Sequence, residues 1–218
     1  MRADEHDGPE PKPPIAVVHH PLYVAPAPAR SSYQWNKNGL VRDLLRDLGE
    51  ALEWHEAEPM PRDWIEAVHD PEYVAQVVEA RVPPENARRI GFPVTEAVAA
   101  RAVVVPGGTY LAARLAMRLG FAANTAGGSH HALADTGAGY CVFNDLAIAA
   151  HRLAAEGERV LIVDCDVHQG DGTAALMAGR TWRPIRSMPR RTFRRERRDR
   201  RWTCRWPMAR TTRRIWRR

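Results

Sequence analysis

The chain has 218 residues, enough for one domain with a real core, and no run of about 18 apolar residues that would predict a membrane-spanning helix. Its formal charge of +6 hides two opposed segments. Residues 1–179 carry 15 basic and 24 acidic side chains, whereas residues 180–218 carry 17 arginines, no lysine, and only Glu196 and Asp199.

The segment from Met1 to Pro14 is charged and proline-rich and reads as disordered. It lacks the apolar stretch of a signal peptide, so a cytoplasmic protein without a membrane partner is expected. Three cysteines, Cys141, Cys165 and Cys204, make no disulfide framework. Cys141 and Cys165 read as small buried hydrophobes.

Ile15-Ala16-Val17-Val18 predicts a short first strand. Asn38 to Leu52 predicts an amphipathic helix, with Leu40, Val41, Leu44, Leu45, Leu48 and Leu52 on one stripe. Pro61 to His69 suggests a short helix, and Pro71 opens another that runs through Val78. Thr95 to Val105 reads as a helix capped by Thr95, and Gly107 to Leu119 as a second helix closed by Gly120. Phe121 to Thr125 is a short strand, Asn144 to Glu156 a helix, and 159–163 a buried parallel strand. This alternation predicts an α/β domain with a mostly parallel sheet, in which ligands bind beyond the carboxyl ends of the strands.

Two polar knots fall at that edge. Gly127-Gly128-Ser129-His130-His131 follows the strand at 121–125. Asp164-Cys165-Asp166-Val167-His168-Gln169-Gly170-Asp171 follows the apolar run Val160-Leu161-Ile162-Val163. Asp164, Asp166 and His168, spaced by two, can present oxygen and nitrogen to one divalent metal. Adjacent histidines in a glycine loop suit the proton transfers of metal-assisted hydrolysis. The bland alternative is that the carboxylates cap helices and the histidines only satisfy hydrogen bonds; two knots at one edge favour chemistry.

Three segments occur in order: Gly-Gly-Ser-His-His-Ala at 127–132, Gly139-Tyr140-Cys141-Val142-Phe143-Asn144-Asp145, and Asp-x-Asp-Val-His-x-Gly-Asp-Gly at 164–172. Together they resemble the histone deacetylase superfamily, which includes bacterial acetoin-utilisation and acetylpolyamine hydrolases. His19-His20-Pro21, His69-Asp70-Pro71-x-Tyr73 and Arg89-Ile90-Gly91-Phe92-Pro93 look most like its small bacterial single-domain branch. The resemblance runs from about Val17 to Gly179. It implies a three-layer α/β/α fold of the arginase/deacetylase kind, with the C-terminal part of the fold missing here. It also implies a zinc-dependent hydrolase that removes acetyl groups from acetyl-lysine or acetylated small amines.

Residue by residue, the resemblance makes Asp166 and His168 two of three zinc ligands. His130 and His131 match the tandem catalytic histidines: His131 is the general base toward water at the metal and then the acid to the leaving amine, and His130 acts mainly electrostatically. Asp164 and Asp171 match the carboxylates that orient those imidazoles and raise their basicity. Gly139 and Tyr140 match the wall that contacts the acyl-lysine stem. Asp164 also matches a residue that shares a structural monovalent cation.

The third ligand, an aspartate, and a hydroxyl-donating tyrosine belong to the family after about position 180, and neither motif occurs there. Residues 30–37 also depart from the arginine-x-proline-methionine pattern of the family's entrance loop. These departures predict an inactive or impaired fragment. The tail from Arg180 reads as out of frame. If one base was lost after the codon for Gly179, each intended codon is the third base of one residue and the first two of the next. Met188-Pro189 then forces alanine, Trp202-Thr203 aspartate and Met208-Ala209 glycine. The free positions permit Ser-Ile-His, Asn-Phe-Pro and Leu-Asp-Val-Pro-Leu in order, as the family carries after its metal motif. The expected organisation is a disordered 1–14, a partial deacetylase-like domain at 15–179, and an out-of-frame, disordered 180–218. Two other functions fit parts of the chain: an arginase-like hydrolase with paired manganese, and a non-catalytic protein whose basic tail binds nucleic acid non-specifically.

Overall fold

The computed structural model describes residues 13–28 and 31–178. The arginine-rich tail and most of the proline-rich N-terminal segment lie outside the described residues.

Strand β1 (Ile15–His19) sits between β2 (Leu52–Glu56) and β3 (Ala122–Asn124), and both neighbours are parallel to it. Val18 is level with His55 on one side and Asn124 on the other, so the carboxyl ends of the strands share one edge. Ala16, Val17 and Val18 are all buried, which explains an unbroken apolar run where a half-exposed strand would alternate. The α/β class and the parallel sheet agree with expectation.

The remaining helices are α1 (Lys37–Arg46), α2 (Arg62–Glu66), α3 (Pro71–Val78), α4 (Pro84–Ile90), α5 (Glu96–Leu119), α6 (Asp145–Ala155) and α7 (Asp171–Met177). Residues from α5 meet Ala16, Val18 and Tyr23 in one cluster, through Val104, Val105 and Leu115. A larger cluster joins α2, α3, α5 and α6 through Ile65, Val74, Val77, Val98 and Ile148.

The two helices expected at 95–105 and 107–119 are one helix of 24 residues with Pro106 inside it. Proline normally breaks a helix because it lacks an N–H and crowds the preceding turn. Here the carbonyl of Val103, in the turn before the proline, accepts a hydrogen bond from Met60 N–H at 2.8 Å, so an outside segment of chain packs against the turn that the proline crowds. Gly107 lets that chain in: a Cβ there would sit 1.8 Å from the Glu58 carbonyl oxygen. Thr95 does cap the helix, accepting from Val98 N–H, and Gly120 ends it in the left-handed conformation.

Three other expectations are corrected. The helix expected through Leu52 ends at Arg46, and Leu52 opens β2, because pairing with Ile15 outweighs a helical stripe. Much of that stripe faces solvent: Leu40, Val41, Leu44 and Leu48 are exposed, while Asn38 and Gly39 are the buried residues of α1. The run at 159–163 is not a strand. No described strand pairs with it, and Leu161 and Val163 are more than 60% exposed. An apolar run becomes a buried strand only where a neighbour supplies a ladder. Cys165, expected to be buried, is exposed in this same segment, whereas Cys141 is buried and its thiol pKa is pushed up to about 11 by that burial. Helices α4 and α7 have no counterpart in the sequence-based reading. Among the described residues, no helix is long and apolar enough to cross a membrane.

Candidate functional site

The chain leaves β3 at Asn124 and turns through Gly127 and Gly128, both with positive φ. Asp145, fully buried at the start of α6, holds that turn. Its carboxylate accepts from Thr109 Oγ1 at 2.6 Å, Gly128 N at 3.1 Å and Ser129 N at 2.7 Å. The next two residues are His130 and His131, whose rings lie 4.2 Å apart.

Each histidine meets one carboxylate. His130 Nδ1 lies 2.7 Å from Asp164 Oδ2, and His131 Nδ1 lies 2.7 Å from Asp171 Oδ1. A carboxylate only accepts, so Nδ1 of each ring carries the donated hydrogen, and in a neutral ring Nε2 is then the acceptor. Burial opposes ionisation of Asp171, but the hydrogen bond from His131, with the Gly172 N–H, holds its carboxyl below the usual range. Gly170 makes the His130–Asp164 approach possible, since a Cβ there would sit 2.5 Å from Asp164 Oδ2. The backbone also ties the knots together: Thr173 N–H donates to the His130 carbonyl at 3.0 Å.

Asp166 and His168 face each other. Asp166 Oδ1 accepts from His168 N at 2.7 Å and lies 2.9 Å from His168 Nδ1. These bonds, the backbone one first, lower the Asp166 carboxyl below its ordinary range. His130 Nε2 stands 4.0 Å from Asp166 Oδ1, and the His131 ring lies 6.0 Å from that of His168. A carboxylate oxygen beside an imidazole nitrogen is a donor pair that zinc accepts, but a catalytic zinc takes three protein ligands and keeps one open position. No group of three His, Cys, Asp or Glu side chains placed to hold a metal occurs among the described residues. The residues present therefore fit two of the three protein positions.

Gly139 and Tyr140 form the adjoining wall. Gly139 packs so tightly against His131 that a Cβ would lie 2.7 Å from its Cδ2. Tyr140 has φ +68°, an uncommon left-handed conformation for a bulky residue. Its N–H donates to the Ile90 carbonyl at 2.7 Å, and that of Gly139 to the Arg89 carbonyl at 3.0 Å, which brackets the unusual backbone. The Tyr140 ring stacks on Phe92, and its hydroxyl lies 2.8 Å from Ser32 Oγ. Residues 31–35, where the sequence departs from the entrance-loop pattern, thus build an alternative lining: Tyr33 packs on Tyr140 and Trp35, and the Trp35 indole N–H donates to Ser31 Oγ at 2.8 Å.

All eight residues singled out from sequence fall in this one region. The supports of the site carried no role in the sequence reading. Asp145 anchors the histidine turn. Asn144 caps α6 and donates from Nδ2 to the Ala132 carbonyl at 3.3 Å and to Thr173 Oγ1 at 3.0 Å. The Tyr73 hydroxyl donates to the Val142 carbonyl at 2.9 Å. A signal exists for the first two: Asn144-Asp145 interrupts the apolar stretch from Cys141 to Ala150, where an unpartnered polar group costs too much to persist.

Residues 31–182 match the Histone deacetylase domain. An uncharacterized protein of Picosynechococcus sp. is 43% identical over 164 residues, which cover 73% of this chain and 55% of that protein. Histone deacetylase 2 of Arabidopsis thaliana is 47% identical over 68 residues, 30% of this chain and 18% of that protein. The acetoin utilization protein AcuC of Staphylococcus aureus is 54% identical over 48 residues, 22% of this chain and 12% of that protein. In fold, the chain is similar to the HDA15 HD domain, with a TM-score of 0.64 and 20% identity, over 77% of this chain and 50% of that one. It is also similar to an HDAC homolog complexed with SAHA, with a TM-score of 0.62 and 22% identity, over 75% of this chain and 48% of that one. The chain thus spans about half the length, or less, of these relatives. The extent of the domain match, joined to the three ordered motifs around the paired histidines, shows that this chain belongs to the histone deacetylase family.

Proposed function

We propose that the chain is a zinc-dependent deacetylase-type amide hydrolase by descent, acting on acetyl-lysine or acetylated small amines, and impaired in its present form. The observation that carries this reading is the pair of histidine–carboxylate dyads, both at 2.7 Å, beside the facing Asp166 and His168. Asp166 and His168 would hold the ion. When bound, zinc supplies Lewis-acid polarisation of the amide carbonyl and makes a nearby water more acidic.

The chain's own groups do the proton work. His131, oriented by Asp171, accepts a proton from the attacking water at Nε2 and returns it to the departing amine. His130, oriented by Asp164, sits beside it and stabilises negative charge in the cleft. Gly139 and Tyr140 line the path of the acyl-amine stem. Asp164 is the residue that would share a structural monovalent cation. A cytoplasmic setting accords with these substrates.

Impairment follows from donor number and exposure. Two donors on exposed side chains bind zinc more weakly than a three-donor site, since each added ligand excludes water and fixes geometry. The frame reading of 180–218 accords with the domain match, which stops at residue 182, beside the change of composition at 180. The basic tail would bind nucleic acid only through charge, and such binding would fall steeply with salt.

The test is isothermal titration of zinc into the 218-residue chain, paired with turnover of a fluorogenic acetyl-lysine peptide. Weak binding and little turnover are expected, both lost in D166A and H168A. Full turnover that is indifferent to zinc chelation would remove the proposal.

A further inference from the structure

His69 lies outside the dyads and is almost fully buried. It occupies the link between α2 and α3, and both ring nitrogens meet backbone groups. Nδ1 is 2.8 Å from the Leu133 carbonyl oxygen, and Nε2 accepts from the Asn144 N–H at 3.0 Å. A carbonyl can only accept and an amide N–H can only donate. The ring is therefore the neutral tautomer with its hydrogen on Nδ1.

Leu133 and Asn144 are the two ends of one loop. That loop leaves His131, carries Gly139 and Tyr140, and returns at the cap of α6. One imidazole thus pins both ends. Neighbouring bonds act in the same place: the Asp70 N–H donates to the Ala134 carbonyl at 2.8 Å, and Leu133 N–H donates to the Thr136 carbonyl at 2.9 Å. Asn144 is itself fully buried, so its N–H has no water to turn to if the ring is lost. The loop also holds the strained φ of Tyr140, which persists only where the surroundings over-determine it.

We infer that His69 is a positioning residue: it fixes the separation of Leu133 and Asn144, and through them the placement of the Gly139–Tyr140 wall against His131. Why the wall must be placed rests on the hydrolase reading; the two-ended bond does not. Glutamine retains one donor, Nε2, for Leu133 and one acceptor, Oε1, for Asn144 on a side chain of similar length. Phenylalanine fills similar volume and offers neither.

The experiment compares the full chain with H69F and H69Q by amide hydrogen exchange and by ¹⁵N spectroscopy of the histidine rings. In H69F, the Asn144 amide and those of 138–141 should exchange roughly tenfold faster or more, while β1 and α5 keep their protection. The Nδ1–H signal of His131 toward Asp171 should broaden with them. H69Q should restore both readouts most of the way. An H69Q that matches H69F, or an H69F whose loss of protection is as large in β1 as in the loop, would overturn the inference. If H69F does not fold, the unsubstituted chain decides: a His69 ring with hydrogen on Nε2, or on both nitrogens at neutral pH, also overturns it. Absence of zinc binding would sink the hydrolase reading and leave these exchange patterns unchanged.

Discussion

Asp145 is fully buried and takes three hydrogen bonds, two of them from backbone N–H groups of the turn before His130. In D145A, the exposed Gly128 and partly buried Ser129 lose their carboxylate acceptor, and a hydrogen bond to a charged group contributes about 1.5–3 kcal/mol. The expected destabilisation is on the order of 3 kcal/mol, read from the urea midpoint at constant slope. D145N keeps one oxygen and should lose about half as much. A D145A as stable as the parent would show that water replaces the carboxylate at the turn without loss. At this scale the grouping of the candidate residues was legible because the proposed reaction would dictate their spacing: tandem histidines, and acids and a histidine at alternate positions. The supports were less legible. His69 acts on Leu133 and Asn144 through backbone atoms, and a backbone partner leaves no mark on the identity of the residues it joins.

Helix α5 shows why local signals misplace element boundaries. Proline followed by two glycines argues for a break at 106–108, yet the helix runs through, because Met60 and Glu58 pack where the break should be. Alanine is intrinsically better than glycine in a helix by about 1 kcal/mol. At Gly107 the added methyl would collide with a backbone oxygen, and overpacking of that kind costs about 1–3 kcal/mol. G107A should therefore be net destabilising by up to about 2 kcal/mol, and a higher melting temperature would contradict the close approach. The contact of α5 with α6 is also pH-sensitive. Glu156 accepts from the Tyr110 hydroxyl and from Arg114 Nη1, each at 2.6 Å, while Arg152 Nε stands 2.8 Å away as an ion pair without an aligned hydrogen bond. The Tyr110 bond first, then Arg114 and Arg152, outweigh partial burial and hold the carboxyl below its usual range. A depressed folded pKa stabilises above the unfolded value of about 4.3 and is lost as pH falls through the folded value. E156Q should cost about 1 kcal/mol near neutrality, and the gap should close as pH falls through the depressed folded value. A gap that persists unchanged in acid would assign the effect to packing. The strand expected at 159–163 is the opposite case to α5: its local pattern is sound, but among the described residues no strand pairs with it.

For the whole molecule, the sheet class was legible because β1 is apolar on both faces, and only a strand covered on both sides needs that. The sequence could not reveal which apolar side chains stay in water. Phe121, Leu161 and Val163 are all more than 60% exposed around β3 and the segment after α6, and Leu44 is 73% exposed on α1. Large apolar groups left in water are candidates for burial by further chain. If residues 180–218 are out of frame, inserting one base after the codon for Gly179 should supply that chain and the third zinc donor together. The restored protein is expected to bind one zinc at least about 100-fold more tightly than the 218-residue chain, since a whole ligand is gained. It should also bind less of a hydrophobic dye and hydrolyse an acetyl-lysine peptide with chelator-sensitive turnover. These three readouts separate the causes. A gain in zinc affinity with undiminished dye binding would place the new ligand correctly but leave Leu161 and Val163 uncovered. Less dye with no gain in zinc affinity would mean that the added chain packs without completing the site. No change in either would show that position 180 is not where the frame was lost, and the impairment would then have to be sought in the two-donor pair of Asp166 and His168 itself.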